Sequence, residues 1–249
     1  MSDEAIAGAG ATGAAGRRVV VAGATSESGA AVSTALIGAG ASVVALGSNP
    51  SKLAELAARV PGITTEACDL TDSAAVDALA ARLTAEGDGG VGGVDGLVHL
   101  VGGWVGGRGI VGQSDEGWEA MERSFRTLRN TTRAFYPALL ASQAGRVVFV
   151  SSESVDAPTA SGASYTAAKA ASESWMRSVA QGFAAGQSAL GLRSAAAVFV
   201  VKALVDDRMR AASPEKTFPG FTDVTTLAAA VLDLWNKPAP ELNGARTHL

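Results

Sequence analysis

The chain is expected to fold as one α/β domain, a doubly wound parallel sheet with helices on both faces. Three observations carry that expectation. Short apolar, β-branched runs alternate with stretches of helical period from Arg17 to the end of the chain, the pattern of repeated strand–helix units. No shift in composition divides the chain, and 249 residues suffice for one domain with a substantial core. Turn-forming residues follow the apolar runs, where helices should begin.

The elements follow in order. Arg17–Ala22 (RRVVVA) reads as a buried strand. The turn GATSESG leads into a helix, AAVSTALIGAG, with Gly38 or Gly40 at its C-terminal cap. Ala41–Leu46 is a second strand, and Pro50 suits the opening of the next helix. Ile63–Ala67 is a third strand with Asp69 at its end, and Asp72 or Ser73 caps the helix after it. Gly87–Gly96 is a glycine-rich connector to the fourth strand, Leu97–Val101. The stretch GGWVGGRGIVG is too rich in glycine for regular structure and reads as a mobile loop, its Trp104 folding onto the core edge.

Ser114 or Asp115 opens a long helix whose Trp118, Met121, Phe125, Leu128 and Phe135 keep helical spacing. Pro137 should kink this helix or mark a break near its end. Arg146–Ser151 is the fifth strand, a helix from near Ser161 to about Ala185 follows, and Ala195–Val201 is the sixth strand. The polar stretch from Lys202 to Phe221 is expected to be a loop with a short helix, a candidate lid. Val224–Trp235 is a final helix, and ELNGARTHL has room for a last short strand. Right-handed crossovers would place the turns after Ala22, Leu46, Ala67, Val101 and Val150 on one edge of the sheet, where a ligand site is expected.

Residues 1–16 are small, mostly alanine and glycine, without the basic start and apolar core of a secretory signal, and are expected to be a flexible tail before a domain spanning 17–249. Twenty basic and 24 acidic residues give a net charge of −4, which supports neither a nucleic-acid nor an anionic-membrane surface. No apolar run is long enough to span a membrane. The one cysteine, Cys68, reads as a small core residue; it can form no intrachain disulfide, which fits a reducing, cytoplasmic setting. Two histidines and one cysteine, far apart, make no metal set.

The chemistry-bearing stretch is Val147–Trp175, VVFVSSESVDAPTASGASYTAAKAASESW. Tyr165 and Lys169 are four residues apart, so a helix puts them on one face, one turn apart. Ser152 ends the preceding strand. A phenol, an ammonium and a hydroxyl converging at a strand end can move a proton to or from a carbonyl or alcohol oxygen. A surface Tyr–Lys pair on an ordinary amphipathic helix is the alternative, because the spacing alone is common.

Taken together, the strand–glycine-turn–helix start, Asp69 after the third strand, Ser152, Tyr165-x-x-x-Lys169 and the sixth-strand entry GLRSAAAVFV resemble the short-chain dehydrogenase/reductase family. The resemblance runs from about Arg17 to Leu249. It implies a Rossmann-type sheet, a nicotinamide dinucleotide, carbonyl/alcohol redox chemistry on a small-molecule substrate and a homo-oligomer, dimer or tetramer. Tyr165 would be the general acid/base. Lys169 would lower the phenol's pKa and hold the nicotinamide ribose. Ser152 would orient the substrate oxygen, and Ser124 falls where a helix Asn usually completes a proton relay. Gly23, Thr25, Ser26, Glu27, Ser28 and Gly29 would form the phosphate turn. Ser48 and Asn49 would face the adenosine ribose, Asp69 and Leu70 the adenine, and Gly102 the nicotinamide side.

This chain departs from the family pattern at several positions. Glu27 stands where the phosphate turn has its middle glycine, and a carboxylate there brings bulk and like charge. Gly47 and Ser48 replace the acid that would bind an NAD ribose, which favours NADP(H) over NAD(H). His99-Leu100-Val101-Gly102 replaces Asn-Asn-Ala-Gly, and His99 reads as a strand histidine satisfied by a neighbour. Phe199-Val200 falls at the Pro-Gly that shapes the nicotinamide pocket. Two functions are therefore carried forward. One is a nicotinamide-dependent oxidoreductase; the other is a fold relative with weakened or no dinucleotide binding, serving non-redox acid–base chemistry or regulation.

Overall fold

The computed structural model describes residues 13–85, 93–189 and 191–249. β-Branched runs become strands and helical-period stretches become helices in alternation. The order is β1 (Arg18–Ala22), α1 (Glu27–Gly38), β2 (Ser42–Gly47), α2 (Pro50–Arg59), β3 (Thr64–Ala67), α3 (Ser73–Thr84), β4 (Gly96–His99), α4 (Asp115–Ala141), β5 (Arg146–Ser152), α5 (Ala163–Gly186) and β6 (Ala195–Val201). Then come β7 (Leu204–Val205), α6 (Asp207–Ala212), β8 (Thr222–Asp223), α7 (Val224–Asp233), α8 (Ala239–Leu242) and β9 (Arg246–His248).

Seven strands form one sheet in the order β3-β2-β1-β4-β5-β6-β9, and each neighbouring pair is parallel. β7 and β8 make a separate parallel pair. Strand order reverses between β1 and β4, which opens a crevice at the carboxyl edge. Alternate side chains on a strand point to opposite faces. Val19 and Val21 of β1 therefore join Leu36 of α1 and Leu227 and Val231 of α7. Val20 and Ala22 join Leu128 and Phe135 of α4 and Phe183 of α5 on the other face. Strands covered on both faces need apolar residues at nearly every position, which is why they read as continuous runs.

Local chemistry sets the helix starts. The side chains of Ser26, Asn49, Asp72 and Ser114 each accept from a backbone N–H of the first turn of α1, α2, α3 and α4. α1 ends at Gly38, and Gly40 beyond it takes φ 84°, the left-handed conformation that glycine adopts at no steric cost.

Several expectations are corrected. Residues 13–16 are not a free tail: Ala14 is fully buried, Gly13 N donates to Asn236 Oδ1 and Gly16 N to the Gly40 carbonyl. Residues 1–12 and most of the Gly87–Gly96 connector lie outside the described residues. β4 ends at His99 rather than Val101, because after Leu100 N bonds the Ala22 carbonyl the chain leaves the ladder. α4 runs without a break through Pro137, since packing against α3 and α5 holds the helix past one missing N–H. A 3₁₀ turn, Ala160–Gly162, precedes α5, and α7 stops at Asp233.

The glycine-rich segment after β4 is irregular but tied down. Gln113 Nε2 donates to the carbonyls of Ala160 and Ser161, and its Oε1 accepts from Ser164 N. Trp104 is 69% exposed and packs on Gly106 rather than on the core edge. Among the described residues no helix is long and apolar enough to cross a membrane.

At the opposite, amino edge, the buried Arg146 guanidinium donates to the carbonyls of Leu234, Gly145, Arg193 and Lys237. It thereby joins β5 to the chain after α7. Arg146→Met should strand these buried acceptors and lower unfolding stability by about 3 kcal/mol. Urea denaturation reads this directly, and a loss below about 0.5 kcal/mol would refute it.

Candidate active site

The end of β5 and one face of α5 build the site. Three successive β5 residues each engage a residue of α5, and those three lie at four-residue spacing. The Val150 carbonyl accepts from Lys169 Nζ at 2.7 Å. Ser151 Oγ donates to Glu173 Oε1 at 2.6 Å. Ser152 stands beside the Tyr165 phenol and favours its ionised form, and its Oγ accepts from Ser154 N at 3.2 Å. Tyr165, Lys169 and Glu173 share one helix face because four residues is slightly more than one turn.

Lys169 Nζ lies 4.5 Å from the Phe149 ring centroid and 5.7 Å from that of Tyr165. Burial draws its pKa down to about 8, and the Glu173 carboxylate works in the opposite direction. Burial pushes the Tyr165 phenol up, while the Ser152 hydrogen bond pulls it back. At neutral pH the pair is thus a protonated phenol beside an ammonium, suited to giving a proton to an oxygen.

Ser152, Tyr165 and Lys169 line a cleft of about 440 Å³ together with Trp104, Lys202 and Leu204. It adjoins a second cleft of about 590 Å³ and shares Ser26, Leu100, Val101, Gly102 and Gly103 with it. Gly102 lines both clefts: a Cβ there would stand 3.6 Å from both Lys169 Nζ and Ser124 Oγ. Gly23 takes φ 81°, and a Cβ on it would meet the Leu100 backbone at 2.9 Å. A Cβ on Gly29 would sit 2.5 Å from Ala24, so Gly29 serves close packing of α1 and faces neither cleft. This is a long two-part crevice with a glycine turn and a helix N-terminus at its middle, a shape and donor set that fit a dinucleotide.

The second cleft takes Thr25, Ser26, Ser48, Asp69, Leu70 and Ser124 from the predicted set, and Ser28 lines the first. Asn49 lines neither, because its side-chain oxygen accepts from Lys52 N and caps α2. Asp69 accepts from Thr71 N and Oγ1, which hold its carboxyl below the usual range. Ser124 Oγ donates to the Val101 carbonyl at 3.4 Å, a long contact.

Glu27 is the main surprise. Its carboxylate takes both Arg59 nitrogens, at 3.0 and 2.7 Å, and lines neither cleft. Hydrogen bonding to Arg59 lowers its pKa, and Arg208 adds attraction. The carboxylate is drawn away from both clefts by a residue on another helix.

His99 is fully buried, with its nitrogens 3.3 and 3.2 Å from the hydroxyls of Thr127 and Thr131. Desolvation first, and then the Lys169 charge, lowers its pKa to about 3. Both hydroxyls also donate to backbone carbonyls of α4, so the protonated ring nitrogen of a neutral His99 donates to one of them.

Some residues escaped the sequence reading. Phe199 and Val200 lie inside β6, both buried, so they do not floor the cleft; Val201, Lys202, Ala203 and Leu204 do. Asn130 Nδ2 donates to the Leu70 and Thr71 carbonyls, holding the loop after β3. Glu173 had a signal: an acid four residues beyond Lys169 falls on a helix face turned to the sheet. Among the described residues no His, Cys, Asp and Glu group of three or more could hold a metal.

A family model described as short chain dehydrogenase matches residues 17–187. A 166-residue stretch is 33% identical to 2,3-dihydro-2,3-dihydroxybenzoate dehydrogenase of Bacillus subtilis (strain 168), covering 65% of this chain and 62% of that protein. Among solved structures, a short chain dehydrogenase from Salmonella enterica subsp. enterica serovar Typhi str. CT18 superposes with a TM-score of 0.80 at 20% identity, covering 96% of this chain and 97% of that one. One from Shigella flexneri 2a str. 301, complexed with NADP, gives 0.79 at 22% identity, covering 94% and 97%. An NADPH-bound short chain oxidoreductase from Pseudomonas aeruginosa PAO1, said to contain an atypical catalytic center, gives 0.76 at 21%, covering 94% and 95%. At these identities the structural likenesses speak for the fold.

The buried His99 implies an acid sensitivity. The unfolded chain protonates this ring near its ordinary value of 6.5, the folded chain only near 3. The unfolded state therefore binds more protons in that window, and stability falls as pH drops, by about 1.4 kcal/mol per pH unit from this group. Urea midpoints at pH 6.5 and 4.5 should separate more for the parent than for His99→Gln. Equal separations would remove the buried, neutral assignment.

Proposed function

This chain belongs to the short chain dehydrogenase family, and on that premise we propose that it is an oxidoreductase interconverting a small carbonyl compound and its alcohol, with NADP(H) favoured. The observation that carries the reading is the convergence of Ser152, Tyr165 and Lys169 on a cleft continuous with a second, glycine-bordered one. The Bacillus subtilis relative's name gives a dihydroxy substrate, which supports the alcohol–carbonyl class.

A nicotinamide dinucleotide held in the two clefts would supply the hydride for reduction of the carbonyl carbon, or take it up from the alcohol carbon in the reverse direction. Ser152 holds the substrate oxygen by hydrogen bonding. Tyr165 gives that oxygen its proton in reduction and takes one in oxidation, so hydride and proton together balance the step. Lys169, bonded to the Val150 carbonyl, keeps positive charge beside the phenol and favours the phenolate left after transfer. Gly23 and the N-terminus of α1 would take the phosphates, with Ser26 and Ser28 beside them. The preference for NADP(H) rests on Ser48 and Lys52 at the ribose end and on the lack of a carboxylate at Gly47. Trp104, Val201 and Leu204 give the substrate side an apolar wall.

The competing reading, a relative with weakened or no dinucleotide binding, drew its force from Glu27. With that carboxylate paired to Arg59 outside both clefts, its main ground recedes. We further propose a cytoplasmic homo-oligomer; the apolar groove between α4 and α5, bordered by Tyr136, Trp175 and Val179, supports helix-mediated assembly.

Titration with NADPH and NADH, followed by cofactor fluorescence and melting temperature, tests the cofactor. Saturation below millimolar with NADPH the tighter is expected, and no binding of either sinks the reading. Arg59→Ala should free Glu27 toward the phosphates and weaken NADPH about fivefold or more, while a second change, Glu27→Ala, should restore it. If Arg59→Ala binds NADPH as the parent does, the pair does not guard the site. Tyr165→Phe should cut turnover by about 100-fold or more, and retained activity would exclude Tyr165 as the acid.

A further inference from the structure

We propose that Glu173 is a positioning residue for the Tyr165–Lys169 pair, a carboxylate buried between α5, β5 and β9 that holds the Lys169 side chain as an ammonium beneath the phenol. Its consequence for turnover rests on the oxidoreductase reading; the coupling between the two side chains does not.

The geometry is that of a built charge. Glu173 is 5% exposed, yet both carboxylate oxygens are bonded: Oε1 to Ser151 Oγ at 2.6 Å and Oε2 to Arg246 Nε at 2.9 Å. A buried carboxylate without partners is costly, and here both oxygens are answered by donors, one of them cationic. Arg246 is fixed in turn. It sits on β9 opposite Val198 of β6 and pairs with Asp156, just beyond the turn that follows Ser152. The last strand thus ties Asp156, in the turn after β5, through Arg246 and Glu173 to Ser151 of β5.

Glu173 lies one turn beyond Lys169 on the face that carries Tyr165. The groups facing Lys169 are the Val150 carbonyl and Phe149 ring from β5, His99 from β4, and Tyr165 and Glu173 from α5 itself. Lys202, from beyond β6, lines the same cleft. His99 is neutral and Lys202 is a like charge, so among these groups Glu173 supplies the opposing negative charge. Burial favours a neutral lysine amine and Glu173 acts against it. The Ser151 hydroxyl and the Arg246 guanidinium both donate to Glu173.

Nitrogen-15 lysine labelling lets the Lys169 Nζ signal be titrated by NMR without cofactor, with Lys169→Arg assigning the resonance. In Glu173→Gln the midpoint should fall by about one pH unit. Glu173→Asp, which keeps the charge, should bring it back toward the parent. An unchanged midpoint in Glu173→Gln, or one in Glu173→Asp as low as in Glu173→Gln, overturns the proposal. Should Glu173→Gln not fold, Glu173→Met, apolar and of similar length, reads the same coupling. In turnover, followed as NADPH consumption with 2,3-butanedione, the alkaline limb of kcat/KM should move to lower pH in Glu173→Gln by the same amount. A loss equal at every pH would mark a merely structural role and overturn the proposal. A parent protein that shows no turnover with any carbonyl speaks against the oxidoreductase reading, and the NMR titration then decides Glu173 alone.

Discussion

The structure turns on one interaction, the Lys169 ammonium against the Val150 carbonyl at the end of β5. Burying an ammonium is expensive, and the surroundings show how that cost is offset. A strand-end carbonyl accepts a hydrogen bond from the ammonium, an aromatic ring stands at 4.5 Å, and a buried carboxylate lies one turn along the helix. His99, which would add a second cation, is kept neutral by its own burial. Gly102 has no side chain to block the ammonium from the cleft. Strand and helix are thereby locked in register, with Val150, Ser151 and Ser152 each answered by a residue of α5.

The two edges of the sheet are held by different chemistry. At the carboxyl edge the polar groups face open clefts and leave donors and acceptors available to a ligand. At the amino edge Arg146 is buried and spends its donors on four backbone carbonyls. The first arrangement suits binding and proton movement, the second suits holding the sheet to the chain after α7. The last strand reaches the carboxyl edge through Arg246, which pairs with both Glu173 and Asp156.

Glu27 shows how a local departure can be neutralised at a distance. Read alone, an acid at the middle of a phosphate turn opposes a dinucleotide. In the fold, a guanidinium at the end of α2 takes both of its oxygens. The pair is partly exposed and adds little to stability. Its effect is directional, since it decides where the carboxylate points.

The sequence by itself determined the sheet and its helices, because strand and helix periods, caps and glycine turns are written over a few neighbouring residues. Tyr165, Lys169 and Ser152 were legible for the same reason: helix spacing and a strand end are local facts. Tertiary structure decided what depends on residues far apart. Arg59 is 32 positions from Glu27 and Arg246 is 73 from Glu173, and no periodicity links such pairs. The same limit explains Phe199 and Val200, whose place inside β6 follows from pairing with β5 rather than from their own neighbourhood. It explains Pro137 too, a helix breaker overruled by packing. Backbone conformation answers to nearest neighbours along the chain; the charge state and direction of a side chain answer to whatever the fold brings beside it.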